Sequence, residues 1–300
     1  MIQSRRQIVD AHHHLWDLGT CRYPWLEEKG VLRFFGDPAP IQRNYLHAEL
    51  RDDAANYELS ASVHIQVGVA EGDELRESEW LEECATDSGL PSAIVAFCDL
   101  ASPAAERQLA LQQSISRVRG IRQIVGRSAE EDAHTGSAAL LEDSIWIDNL
   151  GTLRDRELSF DLQLVPQQAR RAANVFRQIS GLRVALCHCG SPWDQSRRGL
   201  ASWREGLAAL AENQDMYCKI SGLAMFKHDW SIGDIEPIIR ACIDIFSPQR
   251  CMFGSNFPVD KLHKSYAEIW GAYEEMTAQY SDAEQAMMFA GTAQEFYRLG

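Results

Sequence analysis

Eight short runs of apolar, β-forming residues recur along the chain at near-even spacing, with amphipathic helix-period segments between them. The runs cover 8–14, 59–68, 93–100, 118–125, 159–166, 184–190, 216–222 and 251–258. The intervening segments at 74–87, 104–117, 140–154, 167–180, 200–213 and 235–246 repeat their apolar residues with helical spacing. The first connection departs from this rhythm. Residues 15–45 are rich in Pro, Gly and aromatics, which predicts a long loop before a helix near 47–57. Near-continuous apolar strands separated by helices are the mark of a parallel sheet covered on its outer face. An open, doubly wound sheet is the rival architecture. Strand number, even spacing and the lack of a Gly-x-Gly-x-x-Gly after the first run favour a closed (β/α)8 barrel of the α/β class. No linker divides the chain, so 1–300 is expected to be one domain, with 282–298 as a closing helix pair.

With 300 residues and 45% apolar content, the chain can bury a large core. Its net charge of −14, from 29 basic and 43 acidic residues, argues against nucleic-acid or anionic-membrane surfaces. No run reaches the length of a membrane span, and no apolar signal region follows the N-terminus. The eight cysteines are scattered without a Cys-x-x-Cys pair, and several sit inside apolar runs. A reduced, cytoplasmic protein is expected. Its partner would be a small molecule, and a homo-oligomer is compatible with the composition.

Barrel chemistry sits at the carboxyl ends of the strands. Those ends carry polar residues that packing does not explain. The first run ends in Asp10-Ala-His-His-His14; alternation directs His12 and His14 to one face and His13 to the other. The second run carries His64 and Gln66, the third Asp99 and the fourth Arg122. The fifth carries Asp161 and Gln163, the sixth His188, the seventh Lys219 and Ser221, and the eighth Ser255 and Asn256. Such repetition at one end of successive strands predicts a polar pocket.

These residues fall in motifs. Asp10-Ala-His-His-His-Leu-Trp16, Tyr23-Pro-Trp25, Gly120-Ile-Arg122, His188-x-Gly190-x-Pro192, Lys219-x-Ser221-Gly222 and Gly254-Ser255-Asn256-x-Pro258 together resemble the amidohydrolase superfamily. The closer resemblance is to its lactone-hydrolysing branch, which includes 2-pyrone-4,6-dicarboxylate lactonase and the fucono- and rhamnono-lactonases, and it runs from residue 8 to about residue 270. The resemblance implies a (β/α)8 barrel that hydrolyses a cyclic ester, an anionic or polyhydroxylated lactone. By position, His12, His14 and His188 match the family's histidines, which hold a divalent metal or the substrate carbonyl. Arg122 matches an arginine that grips a carboxylate or carbonyl. Asn256 stands where the family usually has an aspartate, and it cannot accept a proton near neutral pH. Asp260 is the substitute carboxylate within reach along the chain.

Gln163 replaces a histidine of metal-rich relatives, and the fourth strand offers no bridging lysine, so a binuclear centre is not expected. The implied cofactor is either none or one zinc ion at a weak mononuclear site on His12, His14 and His188. The reading that follows gives His12 and His14 to the carbonyl, Arg122 to an anionic group or the oxyanion, and His188 to proton transfer. Asn256 positions the water with Asp260 as reserve base. Gln66, Gln163 and Lys219 contribute to recognition, and Trp16, Tyr23 and Trp25 wall the pocket. Two alternatives stand beside it: a metal-dependent decarboxylase of an aromatic acid, which Asn256 counts against, and a degenerate barrel that binds a metabolite without turning it over.

Overall fold

The computed structural model describes residues 5–128, 132 and 137–299; positions 1–4, 129–131, 133–136 and 300 of the expected domain lie outside them. Eight strands run β1 Gln7–His13, β2 Glu58–Ile65, β3 Ala93–Ala96, β4 Val118–Arg122, β5 Ser159–Leu162, β6 Val184–Leu186, β7 Met216–Ile220 and β8 Cys251–Phe253. They pair in parallel in chain order from β1 to β8. A helix follows each strand: α1 His47–Asp53, α2 Glu74–Ser88, α3 Ala105–Gln113, α4 Ser144–Asp155, α5 Ala169–Phe176, α6 Arg197–Ala211, α7 Ile232–Phe246 and α8 Tyr266–Thr277. This is a single-domain (β/α)8 barrel.

Each strand begins within a residue of its apolar run but ends earlier than the run does. The 93–100 run is strand only to Ala96, and the 251–258 run only to Phe253. Residues such as Cys98, Leu100 and Phe257 are buried in the loops above the ladder. Their apolarity serves packing after the hydrogen-bond ladder has stopped. The helix expected over 47–57 likewise stops at Asp53. The expected closing pair is one helical run in three parts, Asp282–Ala286, Met287–Gly291 and Thr292–Tyr297, with a π-helical middle.

Two apolar layers result. Most helices cover the outside of the sheet, where Leu81, Trp146, Phe160, Phe176 and Ile239 pack. Inside the barrel, small residues at Ala11, Ala61, Ala93 and Ala185 leave room for Phe296 and Tyr297 of the last helix. Tyr297 OH donates to Asp161 at 2.9 Å, and Lys219 Nζ pairs with the same carboxylate. This end of the barrel is therefore plugged by side chains.

The seam between β8 and β1 closes just past β8. Asn256 N–H donates to the His12 carbonyl and His14 N–H to the Phe257 carbonyl, both at 2.7 Å. Asp10 reinforces it from inside the wall. Its carboxylate accepts from Ser255 N–H at 2.9 Å, Ser255 Oγ at 2.6 Å, Tyr266 OH at 3.1 Å and His12 N–H at 3.2 Å. Tyr266 opens α8, whose start is fixed by a capping box between Ser265 and Glu268. Burial pushes the Asp10 carboxyl up to about 6, and the hydrogen bonds work against that shift. Removing the carboxylate would strand four donors in a dry wall. Asp10→Ala is expected to lower unfolding free energy by about 3 kcal/mol or more. Urea denaturation checks this; a loss under about 1 kcal/mol would show the seam closes without the clamp.

Candidate active site

Above the carboxyl ends of the strands lies a cavity of about 270 Å³. His14, Arg122, Gln163, His188 and Asn256 line it, together with Trp16 and Trp25 from the long first loop. His12 lies just beneath, with its ring 4.4 Å from His188 and 5.1 Å from His14 between centroids. His13 points the other way, to Ser62 Oγ at 2.9 Å. The alternation along β1 thus divides the histidine block.

Local backbone aims these groups. His188, Cys189, Ser191 and Asn256 all adopt left-handed φ between 53° and 57°. Such a conformation costs a non-glycine residue about 1 kcal/mol or more, so the surroundings must hold it in place. Ser191 N–H donates to the His188 carbonyl, and the seam bond holds Asn256. Gly222 makes room on the far side of His188; a Cβ there would lie 2.4 Å from His188 Nδ1. A Cβ on Gly254 would meet the His12 Cβ at 2.7 Å.

The imidazoles are neutral at neutral pH. Burial first, then neighbouring cations and imidazoles, hold His12 and His188 well below the usual range. Burial and then Arg122 bring His14 down to about 3. His14 Nδ1 donates to the Ile65 carbonyl at 2.7 Å, which leaves Nε2 unprotonated toward the cavity. His188 Nδ1 lies 3.0 Å from Ser221 Oγ, so its Nε2 also turns to the cavity. Among the described residues, neither ring nitrogen of His12 has a partner.

Arg122 is 6% exposed, and its Nη2 donates to the Gln66 carbonyl at 3.2 Å. Its Nε is buried without a partner, and among the described residues no carboxylate lies within ion-pair distance. Burial opposes its charge. A buried, unpaired guanidinium above neutral imidazoles is prepared for an anion or a developing oxyanion.

Several expected site residues stand elsewhere. Lys219 does not reach the cavity, because Asp161 in the barrel interior takes its ammonium. Gln66 lines an adjoining cavity of about 460 Å³ together with Asp99. Asp260 is buried behind Asn256, accepting from Asn256 Nδ2 at 2.7 Å, and burial pushes it up to about 7. His64 is a core residue whose Nδ1 accepts from Leu15 N–H. Tyr23 is buried outside the cavity. The structure adds Arg33, Phe34, Phe35, Arg127 and Met225 to the lining. The only sequence signal for the first three was an Arg-Phe-Phe-Gly run within a loop that has no periodicity.

His12 and His14 offer neutral nitrogens, and the second nitrogen of His14 is anchored on a carbonyl, as metal-bound imidazoles require. These residues fit one ion. The carboxylates nearby are otherwise engaged, Asp161 by Lys219 and Tyr297, and Asp260 by Asn256. His12, Asp161 and Cys187 also lie close together, with ligand atoms within 4.8 Å of one another, but Lys219 already satisfies that carboxylate.

Comparison with known proteins decides the lineage. The amidohydrolase family model Amidohydro_2 matches residues 9–299. The chain belongs to the amidohydrolase family. It is 33% identical to the protein y4mH of Sinorhizobium fredii, over 97% of this chain and 98% of that one. It is 30% identical to the L-fucono-1,5-lactonase of Burkholderia multivorans, over 97% and 96%. A crystal structure of a Burkholderia multivorans amidohydrolase with bound zinc superposes with a TM-score of 0.83 at 26% identity, covering 98% of this chain and all of that one. Among the described residues, no helix of this amidohydrolase is long and apolar enough to cross a membrane.

A further buried acid stands on α2. Glu77 of α2 accepts from Val67 N–H at 3.2 Å, and burial pushes its carboxyl up to about 8. The folded state therefore keeps a proton that the unfolded chain releases near pH 4.5. Between those values folding takes up a proton, so this group's contribution to stability falls as pH rises from about 4.5 to 8. Glu77→Gln keeps the acceptor and removes the titration. The urea midpoint at pH 8 minus that at pH 5 should be more positive in the variant than in the parent. Equal differences would contradict the assignment.

Proposed function

We propose that this amidohydrolase opens a lactone ring by attack of water on the acyl carbon. The observation that carries the reading is the buried Arg122, without a carboxylate partner among the described residues, set beside neutral imidazoles in one cavity. The lactonase name of a relative 30% identical over nearly the full length supports the same chemistry.

Each residue then has a step. Arg122 receives the carbonyl oxygen and stabilises the oxyanion as the tetrahedral intermediate forms. Asn256 holds the attacking water, and Asp260 acts through it as a positioning residue by fixing the amide. His188 Nε2 takes the water's proton as the new C–O bond forms. The ring C–O bond then breaks, and the same proton passes to the leaving alkoxide. The product is an open-chain hydroxy acid. Neutral His188 is the form that accepts a proton, which is what burial beside Arg122 ensures. Trp16 and Trp25 exclude bulk water from the cavity mouth.

His12 and His14 would hold a single divalent ion such as zinc, with His188 close enough to complete the set when it is not transferring a proton. A metal there would polarise the carbonyl as a Lewis acid. A second ion lacks a free bridging carboxylate among the described residues.

The test is a panel of γ- and δ-lactones followed with a pH indicator. Turnover should fall about 100-fold or more in Arg122→Ala and in His188→Ala. Wild-type rates in either variant would overturn the assigned roles, and no turnover of any lactone by the parent would overturn the reaction.

A further inference from the structure

The cavity of about 460 Å³ adjoins the candidate active site, and Gly68, Ile124 and Arg127 line both as a common wall. The active-site cavity, at about 270 Å³, falls short of the roughly 300–1,000 Å³ that encloses a drug-sized ligand. It takes a lactone ring and little more. The second cavity has no part in the ring opening, yet the ends of three neighbouring strands build it. Gln66 follows β2, Phe97 and Asp99 follow β3, and Gln123 follows β4.

Gln66 joins the two spaces. Its main-chain carbonyl accepts from Arg122 Nη2 at 3.2 Å, and the residue lines the second cavity. It is 4% exposed, and among the described residues its Oε1 has no partner. A buried amide oxygen left without a donor costs about 1–3 kcal/mol, so a ligand that brings an O–H group to it gains that bond. Asp99 is held in place: its Oδ1 accepts from Gln123 Nε2 at 2.9 Å and from Ala101 N–H at 3.1 Å. Gln123 is fixed in turn, because its Oε1 accepts from Trp146 Nε1 at 2.9 Å and from Leu100 N–H at 3.1 Å. Carboxylate and amide oxygens on such a braced frame suit hydroxyl groups, which arrive as donors. Phe97 and Val69 add apolar surface for the C–H groups of a ring.

We propose that the second cavity is a subsite for a neutral, hydroxyl-bearing appendage about the size of one sugar ring, carried by the lactone whose ring lies beside Arg122. Gln66 and Asp99 accept from the hydroxyls of that appendage and so determine specificity. The inference rests on the lactone-opening reading above and narrows its substrate class to two-ring lactones.

The test compares D-glucono-1,5-lactone with glycosylated forms of the same ring: cellobiono-1,5-lactone, lactobiono-1,5-lactone and melibionolactone. At least one appended lactone should exceed the single ring in kcat/KM by about tenfold or more. Gln66→Leu, which keeps the main-chain carbonyl, should shrink that ratio by about tenfold. Val69→Phe, which narrows only the second cavity, should shrink it as well. No appended lactone better than the single ring, or a ratio unchanged in both variants, would overturn the proposal. A binding arm separates the two readings. Calorimetry with D-glucono-1,5-lactam against its 4-O-β-D-glucosyl and 4-O-β-D-galactosyl derivatives needs no ring opening. Tighter binding of an appended lactam, lost in Gln66→Leu, supports the subsite even if no lactone is opened. Equal binding of all three lactams overturns it even if lactones are.

Discussion

A single buried carboxylate holds the two ends of the sheet together. Asp10 on β1 accepts from the backbone and hydroxyl of Ser255, just beyond β8, and from Tyr266 on the last barrel helix. Backbone bonds from Asn256 and His14 complete the seam. The remaining strands register pairwise with their chain neighbours, but only this junction brings the first strand to the eighth. His12 and His14 come from one side of it and Asn256 from the other. Without closure the imidazoles and the amide would lie at opposite edges of an open sheet, and no cavity would exist between them.

Closure also sets the electrostatics. With the barrel plugged below by Tyr297 and the aromatic loop over the cavity, the histidines are buried and stay neutral. Arg122 stands in the same space without a carboxylate at ion-pair distance among the described residues, and the carbonyl of Gln66 accepts from it. Lys219 is similarly placed but has been neutralised by Asp161. The contrast between these two cations explains why one belongs to the chemistry and the other to the barrel interior. A cation with its counter-ion in place has no affinity left for a ligand.

Much of this was readable in the residues. Parallel strands buried on both faces must be apolar throughout, so eight apolar runs announced eight strands, and the alternation rule separated His13 from His12 and His14. Strand ends were harder, because loops packed above the ladder are as apolar as the ladder itself. Side-chain pairing across the barrel was not readable at all. Nothing in the chain near Lys219 shows that Asp161 faces it. Nor does the spacing of Asn256 and Asp260 show that the carboxylate turns inward behind the amide. Arg33 escaped because a loop residue gains its meaning only from the surface it is folded against.

The chemistry proposed for this cavity is hydrolysis by acyl attack of water. Its most direct test is a single turnover of a lactone in H₂¹⁸O with mass analysis of the product. One ¹⁸O per molecule in the new carboxyl group, with an unlabelled alcohol, is the predicted result. Label in the hydroxyl group, or release of CO₂ in place of a ring-opened acid, would contradict it.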